Sequence, residues 1–254
     1  MVESEIPLYF NWSFWAVVVA TIAVFLSQIP PIKELIKKAK LDLEVYSKIS
    51  ITHKLGNPNL QLHIILSNIG GRNVRVKDIT VSISRDGNNL STLPAQNYLQ
   101  NQNDQSTLLF TTFSLKPNQE WAHIINFLNF FNREDEKEYQ SIEGAMLTNY
   151  REIVKELDAD ADKNHMIEHP QNLIKKAFDF YNSKQIWKSG EYLIKVNIVT
   201  SNHIADISKL YRFTLFESHE EQLQSITEHY KFGGGIWWNP ERLQTNVILQ
   251  IAEA

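Results

Sequence analysis

The chain has 254 residues, 25 of them Lys or Arg and 29 Asp or Glu, for a formal net charge of −4, and it contains no cysteine. That balance supplies no basic field for nucleic acid, and the lack of thiols excludes disulfides, thiolate metal sites and cysteine nucleophiles. No nucleic-acid partner and no cofactor is expected.

Behind a short amino-terminal stretch (residues 1–8), the run Tyr9 to Ile29, YFNWSFWAVVVATIAVFLSQI, carries no charge. At ~1.5 Å per residue it reaches ~31 Å, close to the ~30 Å hydrocarbon core of a bilayer, and predicts a transmembrane helix over residues 9–29. Tyr9, Trp12 and Trp15 cluster at one end, where amphipathic rings sit among headgroups. The charged side chains ahead of the run are Glu3 and Glu5, so the basic segment that opens a cleaved signal peptide is missing and a retained single-pass anchor is expected. Residues 30–40 read as a basic juxtamembrane linker in which Lys33, Lys37, Lys38 and Lys40 follow the apolar run. The positive-inside bias then places the amino terminus outside and the C-terminal domain in the cytoplasm, at a cell inner membrane.

From Leu41 the periodicity turns from helical to alternating. Leu60, Leu62, Ile64 and Leu66 alternate with polar neighbours up to Ser67-Asn68-Ile69-Gly70-Gly71, and Val74, Val76, Ile79, Val81 and Ile83 do so up to Asp86-Gly87. Half-buried antiparallel strands with turns between them follow. The three-residue step from Val76 to Ile79 marks a bulge at Lys77-Asp78. Further strands are predicted at Leu41–Thr52, Ser106–Leu115, Glu120–Phe127, Gly190–Thr200 and Leu210–Phe216, a spacing that points to a sandwich. His63 and His123 fall within strands and His53, His203, His219 and His229 elsewhere, with no spacing that assembles a triad or a metal set.

The segments LHIILSNIGGRNVRVKDITVSI, FSLKPNQEWAHIINF and SGEYLIKVNIVTS resemble the strand, Asn-x-Gly turn, Leu-x-Pro corner and Gly-Glu-Tyr strand entry of bacterial immunoglobulin-like β-sandwich modules. The resemblance covers about residues 41–127 and 188–216. It implies a mainly β chain in which an Ig-like antiparallel β-sandwich (residues 41–217) serves contact or spacing, and it transfers no catalytic residue. Tyr192 is the kind of tyrosine that bonds back to the backbone at a sandwich corner.

Residues 128–188 interrupt the strands. Ile142, Met146, Tyr150, Ile153, Val154 and Leu157 fall near helical spacing, as do Leu173, Ile174, Ala177, Phe178 and Tyr181, and predict an inserted hairpin of two amphipathic helices. The Asp-rich joint between them ends in His165-x-x-Glu168-His169, which matches the inverted zinc-protease pattern of two histidines and a water-activating glutamate. Pro170 directly after it and the acidic run before it favour a solvated turn. Asp158, Asp160 and Asp162 mimic the start of a calcium loop, but Lys163 stands where that loop needs glycine and His169 where it needs a bidentate glutamate.

The tail, residues 218–254, carries a C-terminal helix, a Gly/Trp-rich loop, Phe232-Gly-Gly-Gly-Ile-Trp237-Trp238, and a potential edge strand at Val247–Ile251. Phe232, Trp237 and Trp238 can plug a core or dock a partner. The pattern favours a non-enzymatic membrane-anchored interaction or sensor protein with a protein partner or homo-oligomer. A zinc-dependent hydrolase using His165, Glu168 and His169 is the alternative.

Overall fold

The computed structural model describes residues 12–36, 38–100, 106–156, 166–238 and 246–254, with backbone alone over 28–36. Helix α1 (Trp12–Ile36) precedes strands β1 (Leu41–Lys54), β2 (Asn57–Asn68), β3 (Val74–Arg85), β4 (Asn88–Leu99), β5 (Leu108–Leu109), β6 (Phe113–Leu115) and β7 (Glu120–Leu128). Helices α2 (Arg133–Glu156) and α3 (Gln171–Lys184) then lead into β8 (Gly190–Thr200) and β9 (Ile207–Leu215). Helix α4 (Glu217–Gln224), a 3-10 stretch from Ser225 to Phe232, β10 (Val247–Gln250) and β11 (Ala252–Glu253) complete the order.

The strands join in one antiparallel sheet ordered β10-β1-β2-β7-β4-β3-β8-β9-β11, with β5 beside β4 and β6 beside β3. Two strands turn this sheet into a nearly closed barrel. Strand β4 pairs with β3 as far as Pro94 and with β7 from Ala95 onward, so it bends from one side to the other. Proline suits the bend because it has no N–H to lose there. At the far end, β10 lies on β1 and β11 on β9, and the two are halves of a single strand kinked at Ile251. The Ile251 N–H donates to the Ser47 carbonyl at 2.9 Å, and the Ala254 N–H to the Leu210 carbonyl at 3.0 Å.

Alternation fills the barrel. Leu43, Ile49, Ile51, Leu60, Leu62, Ile64, Val81, Ile83, Ile125, Phe127, Ile194, Val196 and Phe213 are buried in one core with Trp187. A second core lies among the inserted helices and the tail, where Tyr139, Ile142, Met146, Ala177, Phe180 and Tyr181 pack with Ile226, Tyr230 and Ile236. The β1–β2 hairpin reaches into it. Its turn residues Leu55 (φ 47°) and Gly56 (φ 83°) both take the left-handed backbone that a tight two-residue hairpin requires. Leu55 is buried in the second core, and a Cβ on Gly56 would stand 2.5 Å from the Tyr181 carbonyl.

Two expectations are corrected. The strands form a barrel-like continuous sheet instead of the two packed layers of an Ig-like antiparallel β-sandwich, because β4 and the C-terminal strand each belong to both sides. Nor is the N-terminal transmembrane helix supported: among the described residues, no helix is long and apolar enough to cross a membrane. The apolar run whose side chains are described, Trp12 to Ser27, would reach only ~24 Å, and the remainder of α1 takes in Pro30, Pro31, Lys33 and Glu34. The single-pass anchor at an inner membrane, with its cytoplasmic C-terminal domain, is withdrawn with it.

The last residues of the segment read as a juxtamembrane linker are held against the sheet. Ala39 is buried, the Lys40 carbonyl accepts the N–H groups of Ile69 and Gly70 at 3.1 Å each, and the Lys38 carbonyl accepts that of Gly71 at 3.3 Å. A Cβ on Gly70 would overlap the backbone of Lys38 and Lys40. Asn68, 1% exposed, organises this turn, its amide donating to the Arg72 carbonyl at 2.8 Å and the Leu115 carbonyl at 2.9 Å while its Oδ1 accepts the Gly70 N–H at 3.0 Å.

Candidate functional site

Of the residues singled out for the membrane, Tyr9 and Lys37 lie outside the described residues, and no side chain is described for Lys33. Trp12 and Trp15 are exposed on α1, and Lys38 and Lys40 flank the buried Ala39. They converge on no common site.

The aromatic tail and the histidine motif meet instead. Gly233 (φ 76°) and Gly235 (φ 77°) fold the tail back so that the indole of Trp237 rests against Tyr150 of α2, with ring centroids 4.8 Å apart. Its N–H points to His169 Nε2 at 3.4 Å, and His169 Nδ1 lies 2.9 Å from the Asn149 Oδ1. An amide oxygen only accepts, so Nδ1 carries the proton and Nε2 is the acceptor. Trp238 donates to the Phe232 carbonyl at 2.8 Å. Burial holds the His169 imidazole below its ordinary range, in the neutral state this pairing needs.

That arrangement bears on the zinc pattern. His165, with Asp158, Asp160 and Asp162, lies outside the described residues, Glu168 is exposed, and His169 is 2% exposed with both ring nitrogens engaged. His169 has no lone pair left for a metal. Among the described residues, no three His, Asp or Glu side chains gather as metal ligands do.

A groove of about 820 Å³ lies on the outer face of the barrel, crossing β10, β1, β2, β7 and the end of β4. A defect in β1 builds it. Val45 pairs with Ile64 and Ile49 with Leu62, so Tyr46, Ser47 and Lys48 together oppose the single residue His63. The surplus residues cannot all follow the pleat, and all of them are exposed. Tyr46 stands beside His63, with ring centroids 6.3 Å apart. Pairing then extends the outer face from Ile248 to Ser50 to Gln61 and, one row along, from His63 to Ile124 to Leu99.

His123 borders the groove from the inner side of the sheet, since the register sets it opposite the buried Ile64. Its ring is held between Tyr98 at 4.8 Å and Trp121 at 4.6 Å, with Phe113 stacked on Trp121 at 4.5 Å. Its Nδ1 is buried without a hydrogen-bond partner among the described residues. Among the described residues, Lys48, His63 and His123 are the titratable lining residues apart from Tyr46, and no Asp or Glu lines the groove.

Sequence reasoning placed His63 and His123 in strands and missed Tyr46, Lys48, Gln61 and Leu99. The signal available to it was Ser47, a polar residue at the phase where Leu41, Leu43, Val45, Ile49 and Ile51 are apolar. Compared with known proteins, the chain matches no protein-family model and no curated protein sequence.

Proposed function

We propose that this is a non-enzymatic interaction protein whose barrel receives a segment of a protein partner in the groove built around the β1 bulge. The observation carrying this reading is the groove itself, an 820 Å³ outer-face cleft whose floor is fixed by strand register and whose rim carries side chains without partners of their own. Among the described residues, Tyr46, Lys48, Ser50, Gln61 and His63 make no side-chain hydrogen bond or ion pair, so they retain their full capacity for a ligand. Aromatic and apolar side chains beside them, Tyr46, Leu99, Ile124 and Ile248, supply the area that anchors a bound chain. The half-buried Trp237 packs against the second core, and in this reading it is not the docking element.

Site-specific photocrosslinking tests it. Benzoylphenylalanine in place of Tyr46 or Leu99 is expected to give a discrete adduct of defined mass in cells of the source. The same group in place of Thr80, on the opposite face of the barrel, is expected to give none. Adducts absent from both groove positions, or equal at all three, reject the reading.

A further inference from the structure

We propose that the groove selects an extended acidic segment, with Lys48 as the residue that reads its charge. This rests on the proposed function and names the chemistry of the partner at the same site. The first observation is the charge of the lining. In a chain with more Asp and Glu than Lys and Arg, the described residues of the groove take their one permanent charge from Lys48 and include no carboxylate. The second is that Lys48 is not already neutralised. Elsewhere Lys184 pairs with Asp135 at 2.6 Å, but Lys48 has no ion pair among the described residues.

The third observation is the donor array. The ammonium of Lys48, the amide of Gln61, the hydroxyls of Ser50 and Tyr46 and an N–H of His63 present donors on the adjacent strands β1 and β2, midway along a path that crosses the strands. A carboxylate accepts several hydrogen bonds at once and forms its strongest ones with charged donors. From β10 to β4 the path crosses strands spaced ~4.8 Å apart, a span of ~19 Å, which an extended chain covers in about six residues. A helix of ~10 Å diameter would lie across a floor interrupted by the exposed bulge, whereas an extended chain fits beside it.

The site differs from a nucleic-acid or general polyanion surface in having, among the described residues, a single permanent cation flanked by apolar Leu99, Ile124 and Ile248. Specificity then asks for one or two acidic side chains spaced by apolar ones, as on alternate positions of a strand.

Fluorescence anisotropy with the full chain and labelled alternating peptides (Glu-Val repeats, Gln-Val repeats and Lys-Val repeats of eight residues) tests the proposal. The acidic peptide is expected to bind at least tenfold tighter than the neutral one, and the basic one not to bind. The preference should shrink as salt rises from 50 to 500 mM, survive Lys48→Arg and vanish in Lys48→Glu. Equal binding of all peptides, binding of none, or a preference unaltered in Lys48→Glu overturns it. So does dextran sulfate binding as tightly as the acidic peptide with the same dependence on Lys48. The crosslink at Tyr46, repeated in the Lys48→Glu background, separates this proposal from the function it rests on. An adduct that persists there keeps the groove as a docking site and removes the charge selection.

Discussion

Tyr230 has a phenol that is fully buried in the second core, with a hydroxyl lacking a hydrogen-bond partner among the described residues. Burial pushes its ionisation far above the ordinary phenol range, so the group is a neutral, unsatisfied dipole. Removing a stranded hydroxyl while keeping the ring relieves its desolvation, so Tyr230→Phe is expected to raise stability by about 1 kcal/mol, or ~2–4 °C in the melting midpoint. A loss of stability above ~1 kcal/mol in a thermal melt would show that the hydroxyl is bonded. Contrast Tyr192, whose hydroxyl lies 2.7 Å from the Lys188 carbonyl and 2.9 Å from that of Ile186 and accepts the Lys188 N–H. A backbone-bonding tyrosine at that position was suggested by the likeness of Gly190-Glu191-Tyr192 to a sandwich strand entry, although the sheet it enters is a barrel. Tyr230 sits in no periodic pattern, and its surroundings come from helices far away in sequence.

Among elements, the Gly233–Trp238 turn carries the clearest requirement for glycine. Gly233 has φ 76°, and a Cβ there would overlap Nε1 of Trp237. Gly87, in the β3–β4 hairpin beside Asp86, has a similar φ of 80° but open space around it. Both replacements by alanine incur ~1 kcal/mol of left-handed strain, and Gly233→Ala must also displace the indole from Tyr150 and His169. Urea denaturation is expected to show about 1 kcal/mol lost for Gly87→Ala and at least ~2 kcal/mol for Gly233→Ala, with a change in tryptophan emission in the second alone. Equal losses would mean the tail does not depend on this packing. The glycine run was plain in sequence, as were the inserted helices, from Ile142-Met146 and from Ile174-Ala177-Tyr181. That the run folds onto α2 was not, because the contact of Trp237 with Tyr150 and His169 joins residues with no shared periodicity. The register shift between Val76 and Asp78 falls where alternation breaks in the sequence, whereas the larger one at Tyr46-Ser47-Lys48 went unread within a strand of otherwise good character.

At the scale of the whole molecule, two buried histidines link stability to pH. His53 donates from Nε2 to the Leu223 carbonyl at 3.0 Å and accepts the Gly56 N–H at Nδ1 at 3.1 Å, and burial lowers its pKa, as it does for His169. A histidine whose folded pKa lies below its ordinary 6.5 binds more protons unfolded than folded, so stability rises with pH through that window and declines as pH falls below ~6.5. Carboxylates titrate lower and leave this range to the histidines. Thermal midpoints are expected to be flat above pH 7.5 and to fall between 6.5 and 5.5, with a shallower fall in His53→Gln. An unchanged slope in that variant would assign the dependence elsewhere. The barrel itself was half legible. Alternation defined its strands, but a sandwich and a barrel share the same alternation, and what separates them is the bend of β4 at Pro94 and the kink at Ile251.

The hydrogen bond from Ile251 to Ser47 gives the bulge a second role. Ser47 belongs to the same three-residue bulge that lifts Tyr46 and Lys48 over the groove, and its carbonyl also pins the strand that seals the barrel. Occupancy of the proposed groove is therefore expected to be coupled to fraying of the seam. A ligand that restrains Tyr46 and Lys48 slows solvent exchange of the Ile251 amide, and loosening the seam weakens the ligand by the same factor.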